Sequence, residues 1–390
     1  MKHLGWLLLL LTASPLWSAD NRKITIQELK NLMAADQSAK KSDDEVALDL
    51  KQVTLTEELS IATKDSLAGL TPGPHSTEQL FALEARSALL LPPAADLPAT
   101  AAPDAAAQQA ILAKAADYLS KYYSHLPHLT ATKSVARFQD GVEGTHSDNS
   151  MHSSISANGN ILRDQSSLFV RLVSLKSEPT ESDAGVEAYT APKGKLPWGA
   201  NGIVASIGPA LPLNETFQEA TTFGNPKFLR WESVNGKPAA VFSFSVEKKK
   251  SHYVINYCCF PDVDANSAID YGMSKGAPPP PSGLDSAKSS ADWKPFKANA
   301  AFQGTLFIDP DTGAIVRTIT QVDFKGSELV RSEAQRTDYE RIPVGDKSLV
   351  AVARTYTLAT LTTGGENSIA KSPLRHTFVI QSYKDYQLAK

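Results

Sequence analysis

The sequence predicts an α+β fold, a small helical bundle followed by a curved antiparallel β-sheet that runs as a half-barrel-like meander. From Ile24 to about Leu129, apolar residues recur at helical spacing between caps and Pro/Gly stops. Beyond Thr130 they alternate along runs bounded by turn residues. This change of period divides the chain into a helical region, 20–129, and a β region, 130–390. The short connections between the last strands make those strands antiparallel neighbours.

Ahead of both regions, Met1-Lys2-His3 supplies a positive start, and Leu4 to Leu11 an apolar run with five consecutive leucines. That run is about eight residues, against the roughly 20 that a membrane helix needs. Ser18 and Ala19 then offer small residues before Asp20, so residues 1–19 read as a cleavable signal peptide. The expected destination is export, to the periplasm or the extracellular space. No second apolar span follows, so no transmembrane segment is expected in the mature chain.

In the helical region, Ile26, Leu29 and Leu32 mark a first amphipathic segment. Ser42 or Asp43 can cap the next, whose apolar set is Val46, Leu48, Leu50 and Val53. A further helical stretch runs from Leu55 through Leu59 to Leu67 and Leu70 and stops at Pro72-Gly73-Pro74. Ser76 or Thr77 can cap the helix carrying Leu80, Phe81, Leu83 and Leu89, which ends at Pro92-Pro93. The Ala/Pro-rich segment Pro92 to Pro103 reads as a semi-rigid connection, and Asp104 caps a last helix through Ile111, Leu112, Ala115 and Leu119.

The β region opens at Ser134 to Phe138 and continues at Leu168 to Val173, with a short helix near Phe217 to Phe223. Phe228 to Glu232 turns at Asn235-Gly236 into Ala240 to Val246, and Lys248 to Lys250 turns again into Tyr253 to Phe260, which reads as a hairpin partner. A Pro/Ser-rich insert at about 261–294 follows. Phe302 to Ile308, Ala314 to Phe324, Leu329 to Arg341, Ser348 to Leu361 and Thr377 to Tyr386 complete the meander. Asp309-Pro310-Asp311-Thr312-Gly313 between the first two is a hairpin loop in which Gly313 takes the positive φ.

The chain has 39 Lys and Arg against 42 Asp and Glu, so its bulk charge gives no reason to seek nucleic acid. Its two cysteines, Cys258 and Cys259, are adjacent, which excludes a stapling disulfide framework. They read either as a strained vicinal disulfide with a redox or soft-metal role, or as small apolar residues on the two sides of one strand.

Leu55 to Ser60, Tyr122 to Leu129 with Leu126-Pro127, Trp231-Glu232, Ser251-His252-Tyr253, Tyr257-Cys258-Cys259 and Asp309 to Arg317 together resemble a family of exported acidobacterial proteins. That resemblance spans most of the mature chain and implies no activity. The last 160 residues or so, with the hairpin Asp309 to Arg317, also look like the sheet of periplasmic lipoprotein carriers. This implies an open antiparallel sheet around an apolar cavity, with an apolar or lipid ligand.

Chemistry-bearing residues are few. His125 and His128 have the spacing of paired zinc ligands, but Pro127 lies between them and no Glu follows, so no metal is expected. Gly144 to Ser153 gathers His146, Asp148 and His152 among serines, the groups a hydrolase needs, without a nucleophile elbow. No phosphate loop or other cofactor motif is present, and none is expected to bind. Arg317, Arg336 and Arg354, with Arg331, fall on neighbouring strands. They read either as a surface for carboxylate or phosphate head groups or as exposed arginines paired with Glu328, Glu333 and Asp338. The expected function is a non-enzymatic binding or carrier protein that holds an apolar ligand or a protein partner. The alternative is a hydrolase using His146, Asp148 and His152.

Overall fold

The computed structural model describes residues 22–122, 126–139, 170–183, 186–187, 208–209, 212–260, 294–324, 328–344, 347–362 and 374–389. The segment read as a signal peptide and residues 261–293 of the Pro/Ser-rich insert lie outside them.

A strand, β1 (Arg22–Ile24), leads into helices α1 (Ile26–Ser38) and α2 (Asp43–Lys51). Both helices begin in a capping box, Thr25 with Glu28 and Ser42 with Glu45, which satisfies their first free N–H groups. Where apolar spacing predicted a helical set reaching Val53, the chain turns into β2 (Val53–Leu55), parallel to β1. The β-branched Val53 and Thr54 favour the strand, and Leu48 of the expected set is exposed. Helix α3 (Ile61–Leu67) starts only at Ser60, whose hydroxyl accepts the Thr63 N–H, so Leu55 to Ser60 is not helical.

Helix α4 (Pro74–Ser87) begins two residues before the expected cap. Pro74 presets the first turn, and the cap comes from another helix: Asp43 accepts the N–H groups of His75 at 2.9 Å and Ser76 at 2.8 Å. A Cβ at Gly73 would stand 2.5 Å from Asp43 Oδ2, so glycine is what admits that carboxylate. Helix α5 (Ala105–Lys121) is capped by Asp104 as the sequence predicts. Leu29, Met33, Leu50, Leu80 and Leu83 are fully or almost fully buried where the first four helices meet. Each such side chain contributes about 1.5–3 kcal/mol.

The β region comprises β3 (Leu129–Gln139), β4 (Val170–Asp183), β5 (Val186–Glu187) and β6 (Gly208–Pro209), then α6 (Leu213–Thr222). There follow β7 (Lys227–Val234), β8 (Lys237–Val246), β9 (Val254–Phe260), β10 (Lys294–Asn299) and β11 (Phe302–Ile308). Last come β12 (Ile315–Asp323), β13 (Val330–Val344), β14 (Lys347–Thr362) and β15 (Leu374–Leu388). Ten of these form one open antiparallel sheet in the order β5-β4-β3-β15-β14-β13-β12-β11-β8-β7. The fold is therefore α+β, with the meander β11 to β15 where the sequence places it.

The expected β8–β9 hairpin does not form. β8 pairs with β7 and β11, whereas β9 leaves to join β10 and β6 in a three-stranded sheet. A 3-10 turn at Lys248–Lys250 and the buried Tyr253 carry the chain out of the large sheet.

Because side chains alternate along a strand, the large sheet has two distinct faces. On one, Phe242, Phe244, Phe302 and Leu306 pack with Ile111, Leu112 and Ala115 of α5 and Phe217 of α6. On the other, Tyr356, Phe378 and Ile380 pack against Ala82, Ala85 and Ala88 at the end of α4. Between the two helical layers, the Ala/Pro-rich connection passes the edge strand β7, where Trp231 Nε1 donates to the Ala101 carbonyl at 2.9 Å. The N-terminal region thus lies on both sides of the sheet.

Gly313 (φ +77°) closes the β11–β12 loop, in which Asp309 Oδ1 accepts the N–H groups of Asp311 and Thr312. A Cβ there would also lie 2.4 Å from the Lys114 carbonyl of α5, so the same glycine shapes the turn and seats the helix. Gly236 (φ +76°), in the β7–β8 turn, has open space around it. Gly236→Ala should therefore cost about 1–2 kcal/mol for the left-handed backbone alone. Gly313→Ala should cost clearly more, and the difference, read from urea denaturation of the two variants, measures the α5 contact.

Candidate functional site

Strands β12, β13 and β14 set two cross-strand rows on the face toward α4. Arg317, Asp338 and Arg354 are directly opposed in one row, and Ile319, Arg336 and Tyr356 in the next. Antiparallel pairing brings such opposed side chains within contact distance on one face. Phe307 on β11 stands opposite Arg317 and receives its guanidinium 5.3 Å from the ring centre.

Carboxylates reach this field from far along the chain. Arg336 donates through Nε to both oxygens of Asp338 at 3.1 and 3.0 Å, and through Nη1 to Glu58 Oε1 at 2.6 Å and the Ala88 carbonyl at 2.9 Å. Arg317 donates to Asp338 Oδ1 at 2.5 Å and to Glu232 Oε1 at 3.3 Å. Glu232 is held from its other oxygen by Arg230 on the same strand, at 2.9 and 2.6 Å. Arg354 donates to Glu84 Oε1 at 2.7 Å and to Ser382 Oγ at 3.0 Å, and the Tyr356 hydroxyl donates to the same Glu84 oxygen at 2.6 Å. Lys64 of α3 lies 3.2 Å from Glu84 Oε2.

The cluster is almost dry, with Glu84 1 % and Arg336 4 % exposed. Burial by itself pushes the Asp338 carboxyl up, but Arg336 and Arg317 outweigh it and hold the group below the ordinary aspartate value. Burial likewise disfavours the charge on Arg336, and Asp338 with Glu58 more than restores it. The Tyr356 hydroxyl is raised by burial and then by the Glu84 charge, so it stays protonated and serves as a donor. Each guanidinium is spent on protein acceptors. The arrangement binds the helical layer to the sheet and holds no activated nucleophile.

Of the residues picked out from sequence, Arg317, Arg336 and Arg354 thus come together, but buried rather than exposed. Of the three acids expected to pair with them, Asp338 does so, whereas Glu333 points to the opposite face. His125, His146, Asp148 and His152 lie outside the described residues, as do the side chains of Cys258 and Cys259, whose backbone belongs to β9. The His128 carbonyl accepts the Ala389 N–H at 2.9 Å. Among the described residues no group of three or more metal-binding side chains occurs.

Sequence reasoning missed Glu58, Glu84 and Glu232. Glu84 carried a signal, since it falls in the buried stripe of α4 with Leu80, Leu83 and Ser87. Glu232 sits one alternation before the buried Val234, an inward position of its strand.

A second buried acid lies on the other face. Glu333 is 2 % exposed, and neither of its oxygens has a hydrogen-bond partner among the described residues. Burial pushes its carboxyl up to about 8. Val322 and Ala359 flank it and Arg331 stands two positions along its own strand; further along the face Tyr253 and Thr320 share a hydrogen bond of 2.9 Å, and Gln335 donates to Thr357 at 3.1 Å.

Removing one partner of a buried ion pair strands the other, so Arg336→Ala should destabilise the fold by about 3–5 kcal/mol in chemical denaturation. Glu58→Gln on that background should cost little more, a non-additivity that a double-mutant cycle reads directly. The stabilisation from Asp338 is present above the ordinary value of 3.8 and is lost as pH falls through its lower folded value, and Asp338→Asn should abolish that acid dependence. No described helix is long and apolar enough to cross a membrane. No family model, curated protein or solved structure matches this chain.

Proposed function

We propose that the chain is an exported, non-enzymatic binding protein that uses its sheet as a rigid scaffold for a protein partner or an apolar ligand. The buried arginine cluster is the observation that supports this most. Groups able to recognise an anionic substrate, Arg317, Arg336 and Arg354, are instead engaged by Asp338, Glu58, Glu232 and Glu84. Such a cluster fixes a shape. It fits a protein whose task is to hold something rather than to transform it. The exported destination rests on the pattern of residues 1–19.

Native mass spectrometry of the full chain expressed with its leader should find a polypeptide beginning at Asp20 and carrying a retained partner or lipid. His146→Ala with His152→Ala should leave that adduct in place. An apo mass together with esterase or peptidase turnover that the double substitution abolishes would replace this reading with the hydrolase.

A further inference from the structure

Ser251, His252 and Tyr253 carry the chain from β8 in the large sheet to β9 in the small one, and all three are fixed. The His252 N–H donates to the Glu219 carboxylate of α6 at 3.1 and 3.3 Å, and its ring Nδ1 lies 2.8 Å from the same group. Ser251 Oγ accepts the Tyr253 N–H at 3.0 Å. Tyr253 is 1 % exposed, stacks on Phe302 of β11 with ring centres 4.8 Å apart, and meets Thr320 of β12 through its hydroxyl. Tyr253 is thus one anchor of the small sheet on the large one, beside Ile255 of β9 and Phe296 of β10, which join the same core, Phe296 meeting the Phe324 ring at 5.7 Å.

Glu333 sits beside that pin. It is directly opposed to Val322 on β12 and Ala359 on β14, one step along the same face from the Gln335 and Thr320 pair, and its charge acts on the Tyr253 hydroxyl. A carboxylate in such a place needs donors, because an unpaired buried charge is far costlier than an unpaired neutral group. Tyr253 is the described titratable group that faces it from the crossing. β12 and β14 present Thr320, Val322, Thr357 and Ala359, all uncharged, and on β13 itself Arg331 stands two positions away. The Tyr253 hydroxyl is engaged with Thr320.

We propose that Glu333 is a proton-dependent latch: its neutral carboxyl keeps Tyr253 and the small sheet docked on the large sheet, and loss of the proton releases them. The latch is independent of what the chain binds. Its direction follows from linkage. The docked form keeps its proton up to about pH 8, whereas an opened, hydrated Glu333 returns to the ordinary value of 4.5. Between these limits the docked form holds a proton that the open form has lost, so docking weakens as pH rises, by about ten-fold per pH unit, and levels off above the upper limit.

Hydrogen–deuterium exchange of the full chain, corrected for intrinsic exchange chemistry, tests this between about pH 5.5 and 7.5, inside the window over which the linkage acts. In the wild type, protection of β9 and β10 amides should fall about ten-fold per pH unit while β13 and β14 amides keep theirs. In Glu333→Gln and Glu333→Leu, which carry no titrating group, the β9 and β10 protection should be flat with pH. A wild-type profile that is flat, a loss spread evenly over all strands, or an unchanged slope in either variant would overturn the latch. Should neither variant fold, infrared spectroscopy of the wild type at about pH 6.5 decides, since the docked form must show a protonated buried carboxyl there. Absence of that band overturns the proposal as well.

Discussion

The fold depends on one buried contact, the guanidinium of Arg336 held between Asp338 on its own strand and Glu58 from the helical layer. Burying two charges costs several kcal/mol per ion, and attraction offsets this only where geometry is good and the remaining donors are satisfied. Both conditions hold. Arg336 also reaches the Ala88 carbonyl and lies over the Tyr356 ring at 5.3 Å, and Asp338 is shared with Arg317. Glu58 belongs to a segment already fixed in the helical layer. Its neighbour Glu57 accepts the Ile26 N–H at the start of α1, its own N–H donates to the Leu91 carbonyl, and Leu59 N–H donates to Ser87 Oγ. Docking the sheet and ordering the helices are therefore coupled through consecutive residues.

The helix that delivers the second carboxylate is built for close approach. Ala82, Ala85 and Ala88 present small side chains to Tyr356, Phe378 and Ile380, and between them Glu84 reaches Arg354 and the Tyr356 hydroxyl. Larger residues at the alanines would lift α4 and strand the ion pair. On the opposite face α5 is seated by Gly313 and by Lys114, which donates to the Pro310 carbonyl at 2.9 Å. An antiparallel sheet commonly leaves one face to solvent; here helices cover part of both, and charge organises one interface while apolar packing organises the other.

What the sequence made legible was whatever is local. Asp104 capping α5, the positive φ of Asn235-Gly236 and of Gly313, and the five meander strands all follow from neighbouring residues. Errors came where a distant group intervened. Helix α4 starts before its local cap signals because its cap, Asp43, comes from another helix, and β9 does not pair with β8 because β11 takes that place from more than fifty positions along the chain. The arginines were seen as a set but their surroundings were not, since Glu58 and Glu84 lie more than two hundred residues from the strands they meet.

Glu333 and Asp338 show why such residues resist reading from sequence. Both are acids on β13, both are buried, and an odd separation turns them to opposite faces. On one face two guanidinium groups keep Asp338 charged. On the other, Glu333 has no hydrogen-bond partner among the described residues, and burial pushes its carboxyl up to about 8. Burial is the same in kind for both, so the partner decides the charge. The difference is visible only once the sheet register sets Asp338 between Arg317 and Arg354, and Glu333 between Val322 and Ala359. One strand thus joins the helical layer by charge on one side and carries an unpartnered buried carboxyl on the other, one step along the face from the Thr320 that holds Tyr253.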